Sequence, residues 1–251
     1  MNCKICQKPT SSFANAKIRS QYQVAYFRCA HCGFIQTEDP YWLAEAYQEA
    51  INQSDTGLLQ RNILMANITG LIIRFLIKER GNFIDYGSGY GLFVRLMRDK
   101  GFSFRWFDTY CQNIFARGFE HHQGLVPYHL LTAFEVMEHL VDPLQEIPKM
   151  LKLSPNILFS TLLLPSPVPA PQEWWYYGLE HGQHISFYTR ASLEVIASHF
   201  GLYLYSNPLN RQIHLLSEKK CSPFLFSILS NLTLSSLFQA FIPSHPLDRP
   251  F

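Results

Sequence analysis

No uninterrupted apolar run in the 251 residues reaches the roughly 18 residues that a membrane span needs. An apolar leader is missing as well, because the first residues, MNCKICQKPT, are polar. Charge of one sign is scarce. The 21 basic and 19 acidic residues leave a formal net charge of +2, which gives no electrostatic footprint for nucleic acid or an anionic membrane. Internal repeats are absent. These absences set the expected location as cytoplasmic, with no transmembrane segment and no nucleic-acid partner. Thiols stay reduced in that compartment, so the six cysteines read as metal ligands or free thiols before disulfides. What the chain does have is aromatic residues, 15% of the total, which suit a buried core and a pocket for an organic ligand. Its length allows one large α/β domain with a small appendage.

Four of the cysteines come in two pairs. Cys3 and Cys6 form one C-x2-C, Cys29 and Cys32 a second. Paired thiolates at this spacing match a tetrahedral four-cysteine zinc site. Between the pairs, Tyr22, Val24, Tyr26 and Phe27 alternate with polar residues, as in the small strands of a zinc ribbon. A segment this short has little core of its own, which gives Zn2+ a structural role there. His31 reads as a surface neighbour, and Cys111 and Cys221 as isolated thiols.

The middle of the chain alternates strand and helix. The pattern predicts helices over 41–51, 58–80 (stopping at Gly81), 92–100, 111–119, from Asp142-Pro143 to about Leu151, and from Thr189 to Gly201. Strands are predicted over 82–86, 102–107, 129–134 and 156–162, with two more in LYLYS and QIHLLSEK. This is a doubly wound α/β fold with a mostly parallel, seven-stranded sheet. The expected domains are a zinc-binding ribbon over 1–40, an α/β domain over 41–220 and an apolar tail over 221–251. The tail reads as a helix on the core, on a partner subunit or over the pocket. The stretch PSPVPAPQEWWYYGLEHGQH is too long and too aromatic for an ordinary connector, about 2–6 residues in α/β units.

The glycines of F83-I-D-Y-G-S-G-Y-G-L-F93 join a strand to a helix. A phosphate-binding loop of the G-x4-G-K-[ST] kind needs a following Lys-Ser or Lys-Thr, and none is there. The dinucleotide pattern G-x-G-x-x-G needs glycine where Leu92 stands. The pattern D-x-G-x-G-x-G is satisfied by Asp85, Gly87, Gly89 and Gly91, and resembles the first motif of class I S-adenosylmethionine-dependent methyltransferases. The resemblance extends over about 55–218, through Asp108-Thr109, F134-E-V-M-E-H-L-V-D-P143 and G182-Q-H-I-S-F-Y-T189. It implies S-adenosyl-L-methionine as cofactor, with the ribose hydroxyls on Asp108 and the methionine end on the loop Gly87-Ser88-Gly89-Tyr90-Gly91. Asp85 holds that loop or meets the ammonium through water. Tyr90 and Phe134 are candidate apolar walls. Glu135, nearer the strand end than Glu138, is the better site carboxylate. Arg61 either meets the methionine carboxylate or is a solvated arginine on an amphipathic helix.

Cysteine pairs ahead of such a domain resemble the first two domains of nucleotide-sugar C-methyltransferases. In those enzymes an acid–histidine pair after the fifth strand serves base chemistry. The positions that match are Glu180 and His181, with His184 in the same motif. The implied reaction is C- or O-methylation of a small-molecule acceptor, sugar- or secondary-metabolite-related. A zinc-containing RNA methyltransferase and a catalytically inactive cofactor-binding scaffold are the alternative readings. For the RNA reading, residues 1–40 offer only Lys4, Lys8, Lys17, Arg19 and Arg28 as basic groups.

Overall fold

The computed structural model describes residues 1–47, 56–77, 81–122, 124 and 127–233. Three antiparallel strands, β1 (Thr10–Ile18), β2 (Tyr22–Cys29) and β3 (Ile35–Thr37), follow the first cysteine pair. A short helix, α1 (Leu43–Ala46), leads towards α2 (Leu58–Ile72), which continues through a π-helical turn at Ile73–Ile77. The α/β unit is then β4 (Asn82–Tyr86), α3 (Leu92–Asp99), β5 (Ser103–Phe107), β6 (Leu130–Ala133), α4 (Pro143–Leu153), β7 (Asn156–Ser160), β8 (Ser186–Phe187), α5 (Arg190–His199), β9 (Tyr203–Ser206), β10 (Ile213–Ser217) and α6 (Pro223–Leu229).

The main sheet has the order β5-β4-β6-β7-β10-β9. β4 through β7 are parallel, and β10 runs antiparallel to both of its neighbours. Burial on both faces explains the near-continuous apolar strands. Ile84, Leu131, Ile157 and Phe159 point to one face, with α4 and α5. Phe83, Leu130, Leu158 and Leu215 point to the other, with α2, α3 and α6. α4 begins as its sequence suggests: Asp142 caps it by accepting from the Gln145 amide, and Pro143 occupies the first turn. Pro148 is accommodated inside the helix, which runs on to Leu153.

Two expectations are corrected. Seven strands were expected, and the described residues form six in this sheet. Next to β5, a single bridge between Trp106 and Glu120 stands where a further strand would lie. The helix expected over 111–119 is a series of turns. The Tyr90 carbonyl accepts from both Ile114 and Phe115 amides, and the Asn113 side chain takes the Ala116 amide. Such local side-chain bonds compete with helix formation. In the tail, α6 buries Phe226 and Leu229 against α2 and β9. The remaining tail from 234 and the end of the helix expected over 41–51 lie outside the described residues.

The N-terminal sheet has four strands, in the order β1-β2-β3-β8. Its last strand comes from the segment that follows the Pro/Trp-rich loop. Ile35 pairs with Phe187 and Gln36 with Ser186, and the Thr37 amide donates to the Ile185 carbonyl. The expected boundary between ribbon and α/β domain is therefore crossed by a shared sheet.

His214 in β10 gives a stability test. It is fully buried; Nε2 donates to the Thr161 carbonyl at 3.0 Å and Nδ1 accepts from Ser206 Oγ at 2.9 Å. Burial pushes its pKa down to about 4. The unfolded chain takes up this proton near pH 6.5 and the native state near 4. The contribution is complete above the unfolded value and is lost as pH falls between the two, by about 1.4 kcal/mol per pH unit. Urea unfolding at pH 5 and pH 7 should show wild type losing roughly 2 kcal/mol more than His214→Gln on acidification.

Candidate functional site

The carboxyl ends of β4, β5, β6 and β7 open on one cleft of ≈ 2100 Å³. Ligands bind at this edge in open α/β sheets. The volume exceeds the roughly 300–1,000 Å³ of a single small-ligand pocket, leaving room for two reactants.

The glycine loop leaves β4 at Tyr86 and is held from behind. The Gly87 and Ser88 amides donate to the Phe107 carbonyl at 2.9 and 3.2 Å, and Ser88 Oγ donates to the Asp85 carbonyl at 2.6 Å. Asp85 is 4% exposed and accepts from Thr132 Oγ1 at 2.6 Å; burial raises its pKa to about 7. Asp108, just past β5, braces the loop from the side. Its Oδ2 accepts from the Gly89 amide at 2.8 Å, and its Oδ1 from the Tyr110 and Cys111 amides at 2.7 and 2.8 Å. Trp106 Nε1 donates to the Gly89 carbonyl at 2.9 Å. Gly89 has φ +53°, and a Cβ placed on it would meet nothing within 4 Å. Backbone and cleft therefore meet at Gly89 without an intervening side chain.

Asp85, Gly87, Ser88, Gly89, Tyr90, Asp108, Thr109, Phe134, Glu135 and Arg61 all line this cleft. Gly91 stands behind the wall as the residue preceding α3. Phe134 packs edge-on against Phe93. Glu135 has φ +53°, a left-handed backbone that is uncommon outside glycine. Ser160 fixes it twice: the Glu135 amide donates to Ser160 Oγ at 2.8 Å, and Oγ donates to Glu135 Oε1 at 2.7 Å.

Glu180, His181 and His184 also line the cleft. Glu180 is exposed at the rim, and among the described residues no hydrogen bond joins it to either histidine. His181 lies over Gly178, where a Cβ would stand 2.3 Å from its Nε2. Its Nδ1 accepts from the Gln183 amide at 3.1 Å. His184 Nδ1 lies 2.6 Å from the Tyr176 carbonyl. The two rings are 4.8 Å apart, and a third, His139, is 4.9 Å from His184. Burial holds His184 well below the usual histidine range and brings His139 down to about 4. Glu138, next in sequence, is fully buried, and burial with the neighbouring Glu135 raises it to about 8. Glu138 and His139 are absent from the expected site, although FEVMEHL contains them. An adjacent acid–histidine pair just past a parallel strand was the available signal.

The four cysteines meet at the edge of the N-terminal sheet. Cys3 and Cys32 sulfurs are 3.6 Å apart, Cys6 and Cys29 sulfurs 3.4 Å, and all four lie within 4.8 Å of one another. Each pair turns alike. The residue after the second cysteine has positive φ (Gln7 +60°, Gly33 +72°) and donates its amide to the carbonyl of the first cysteine, at 3.0 and 2.9 Å.

A family model described as "Methyltransferase domain" matches residues 60–207. No curated protein matches the sequence. Solved structures with a similar fold include TnmH, at 14% identity with a TM-score of 0.47, covering 72% of this chain and 62% of TnmH. Others are the S-adenosylhomocysteine-bound form of CalO1, a methyltransferase in calicheamicin biosynthesis (16%, TM-score 0.48, 72% of this chain and 60% of CalO1), and an O-methyltransferase family protein from Burkholderia thailandensis (12%, TM-score 0.47, 71% and 68%). The chain thus spans less than two thirds of the length of TnmH and of CalO1.

Proposed function

The chain belongs to the methyltransferase-domain family and is an enzyme, and from that premise we propose that it transfers the methyl group of S-adenosyl-L-methionine to a small-molecule acceptor. The observation that carries this reading is the joining, in one cleft, of a braced glycine loop and a group of buried and half-buried histidines. The loop side suits the cofactor. Gly89 leaves its backbone open to the cleft, and a Cβ there would occupy ligand space. The Asp108 carboxylate, half-buried and beside the loop, keeps acceptor capacity on Oδ2 for a ligand hydroxyl, its Oδ1 being taken by the Tyr110 and Cys111 amides. When bound, the cofactor supplies an electrophilic methyl on a sulfonium.

What the protein adds is position and proton removal. The acceptor side is walled by His139, His181 and His184, and burial holds His139 and His184 neutral. The Tyr176 carbonyl can only accept, so His184 carries its proton on Nδ1 and presents a lone pair at Nε2. Trp175, 77% exposed at the cleft rim, offers an aromatic face to the acceptor. An oxygen or carbon acceptor bearing an acidic proton fits this wall, and a sugar or a secondary metabolite fits its size. The four cysteines fit structural Zn2+. Tetrahedral coordination at about 2.3 Å per sulfur calls for sulfurs about 3.8 Å apart, close to the spacing found.

The test is methyl-labelled S-adenosylmethionine offered with a metabolite extract. Label should move to a small molecule. Asp108→Ala should weaken cofactor binding at least tenfold, the loss of about 1.4 kcal/mol or more from its hydrogen bonds. His184→Ala and His181→Ala should lower turnover with cofactor affinity retained. Label transfer that is equal in wild type and both histidine variants contradicts the assignment of the acceptor wall.

A further inference from the structure

Glu138 is 0% exposed, and among the described residues neither of its oxygens has a hydrogen-bond partner. The Tyr176 and Thr161 hydroxyls lie close by. They bond to each other at 3.2 Å, and Tyr176 also accepts from the Leu162 amide. Both favour the ionised form of Glu138, and neither reaches it within hydrogen-bond geometry. A buried carboxylate with bare oxygens, repelled by Glu135, is a costly arrangement that needs a compensating charge or proton.

Two imidazoles lie beside it. His139 Nδ1 is 3.1 Å from the Gln183 carbonyl, and His184 Nδ1 is 2.6 Å from the Tyr176 carbonyl. Carbonyl oxygens only accept, so each Nδ1 carries the proton and each Nε2 the lone pair. The Tyr47 hydroxyl, 3.0 Å from His139 Nδ1, shares that same N–H. A backbone carbonyl on the second nitrogen is the arrangement that fixes a metal-binding histidine. One ligand atom each from Glu138, His139 and His184 lie within 4.8 Å of one another.

We propose that Glu138, His139 and His184 form a second metal site, distinct from the four cysteines, for a divalent cation with a taste for imidazole and carboxylate. Bonds of about 2.0–2.2 Å require ligand atoms about 3–3.5 Å apart, so a small contraction closes the site. Three protein ligands leave coordination positions open towards the cleft, which His139 and His184 line. If an acceptor oxygen took such a position, the cation's charge would lower its pKa. That role rests on the methyl-transfer reading, whereas binding of the ion does not. His181 is outside this group of three, and its Nδ1 accepts from the Gln183 amide.

The probe is Mn2+, a poor competitor for thiolates, titrated into the full chain carrying one equivalent of zinc and followed by loss of the free-ion electron paramagnetic resonance signal. The expected result is one Mn2+ per chain, at least tenfold weaker in Glu138→Gln and in His139→Asn and unchanged within twofold in His181→Ala. A measurement on wild type needs no variant to fold. A second equivalent of Zn2+ should move the Nε2 resonances of His139 and His184 in imidazole nitrogen spectra. Wild type that takes up no Mn2+, variants that bind it equally, or imidazole resonances that stay in place would each overturn the site. Calorimetry with S-adenosylmethionine on the same samples separates the two readings. Cofactor without Mn2+ removes the metal site alone, and Mn2+ without cofactor removes the methyl-transfer reading alone.

Discussion

In zinc-loaded protein, Cys32→Ser or a strong chelator should cost stability on the order of 5 kcal/mol or more and abolish methyl transfer at the same time. The coupling follows from what the cysteine pairs hold. Cys3 and Cys32 are buried in the same core as Tyr188 and Leu193, the start of α5 and the segment before it. The Cys32 carbonyl accepts from Thr189 Oγ1, which also caps α5. Trp42 Nε1 donates to the Gly182 carbonyl at 2.7 Å, and Gln183 Nε2 to the Ala46 carbonyl at 2.8 Å. Together with the pairing of β3 and β8, these bonds clamp 182–189, the segment that carries His184. Loss of the knuckles frees that wall of the cleft. The glycine loop hangs on β4 and β5 instead, so cofactor affinity should fall less than turnover. Calorimetric melting with parallel methyl-transfer assays would show both losses. Cys111→Ser, a half-buried thiol after Asp108, is the control and should change little. A zinc-free chain with wild-type melting and turnover contradicts the clamp.

Gly89→Leu should eliminate cofactor binding, by at least a hundredfold, while the fold survives. The left-handed φ at this position costs a side-chain-bearing residue about 1–2 kcal/mol. The space around the new side chain is open, so no packing is lost. What the leucine fills is the space into which the loop backbone faces. Urea unfolding should show the small stability cost, and cofactor titration the large binding loss. A variant that loses binding because it unfolds has a different signature, a collapsed melting transition.

Much of this was legible in the sequence because local chemistry and tertiary demand agree there. The apolar runs of β4, β6 and β7 are buried on both faces, the glycines sit at a strand-to-helix turn, and Asp142 and Thr189 are caps that their helices use. Each cysteine pair is close in sequence, so the spacing alone pointed to the clustering of the four thiols. The misses lie where distant segments decide. Residues 111–119 have enough apolar side chains for a helix, but the Tyr90 carbonyl and the Asn113 side chain claim their amides. β8 is two residues long and exists because β3 is there to pair with it. His139 and Glu138 sit inside a recognised motif, yet their relation to His184 appears only when β6 and the segment before β8 come together. Gly91 belongs to the glycine pattern but serves the start of α3 rather than the cleft surface.

The central claim is that the glycine loop and Asp108 hold S-adenosylmethionine. Isothermal titration of that compound into the zinc-loaded full chain tests it most directly. The expected result is saturable one-to-one binding in wild type, at least tenfold weaker in Asp108→Ala and absent in Gly89→Leu. Wild type without binding heat at any attainable concentration, or Gly89→Leu titrating like wild type, would contradict it.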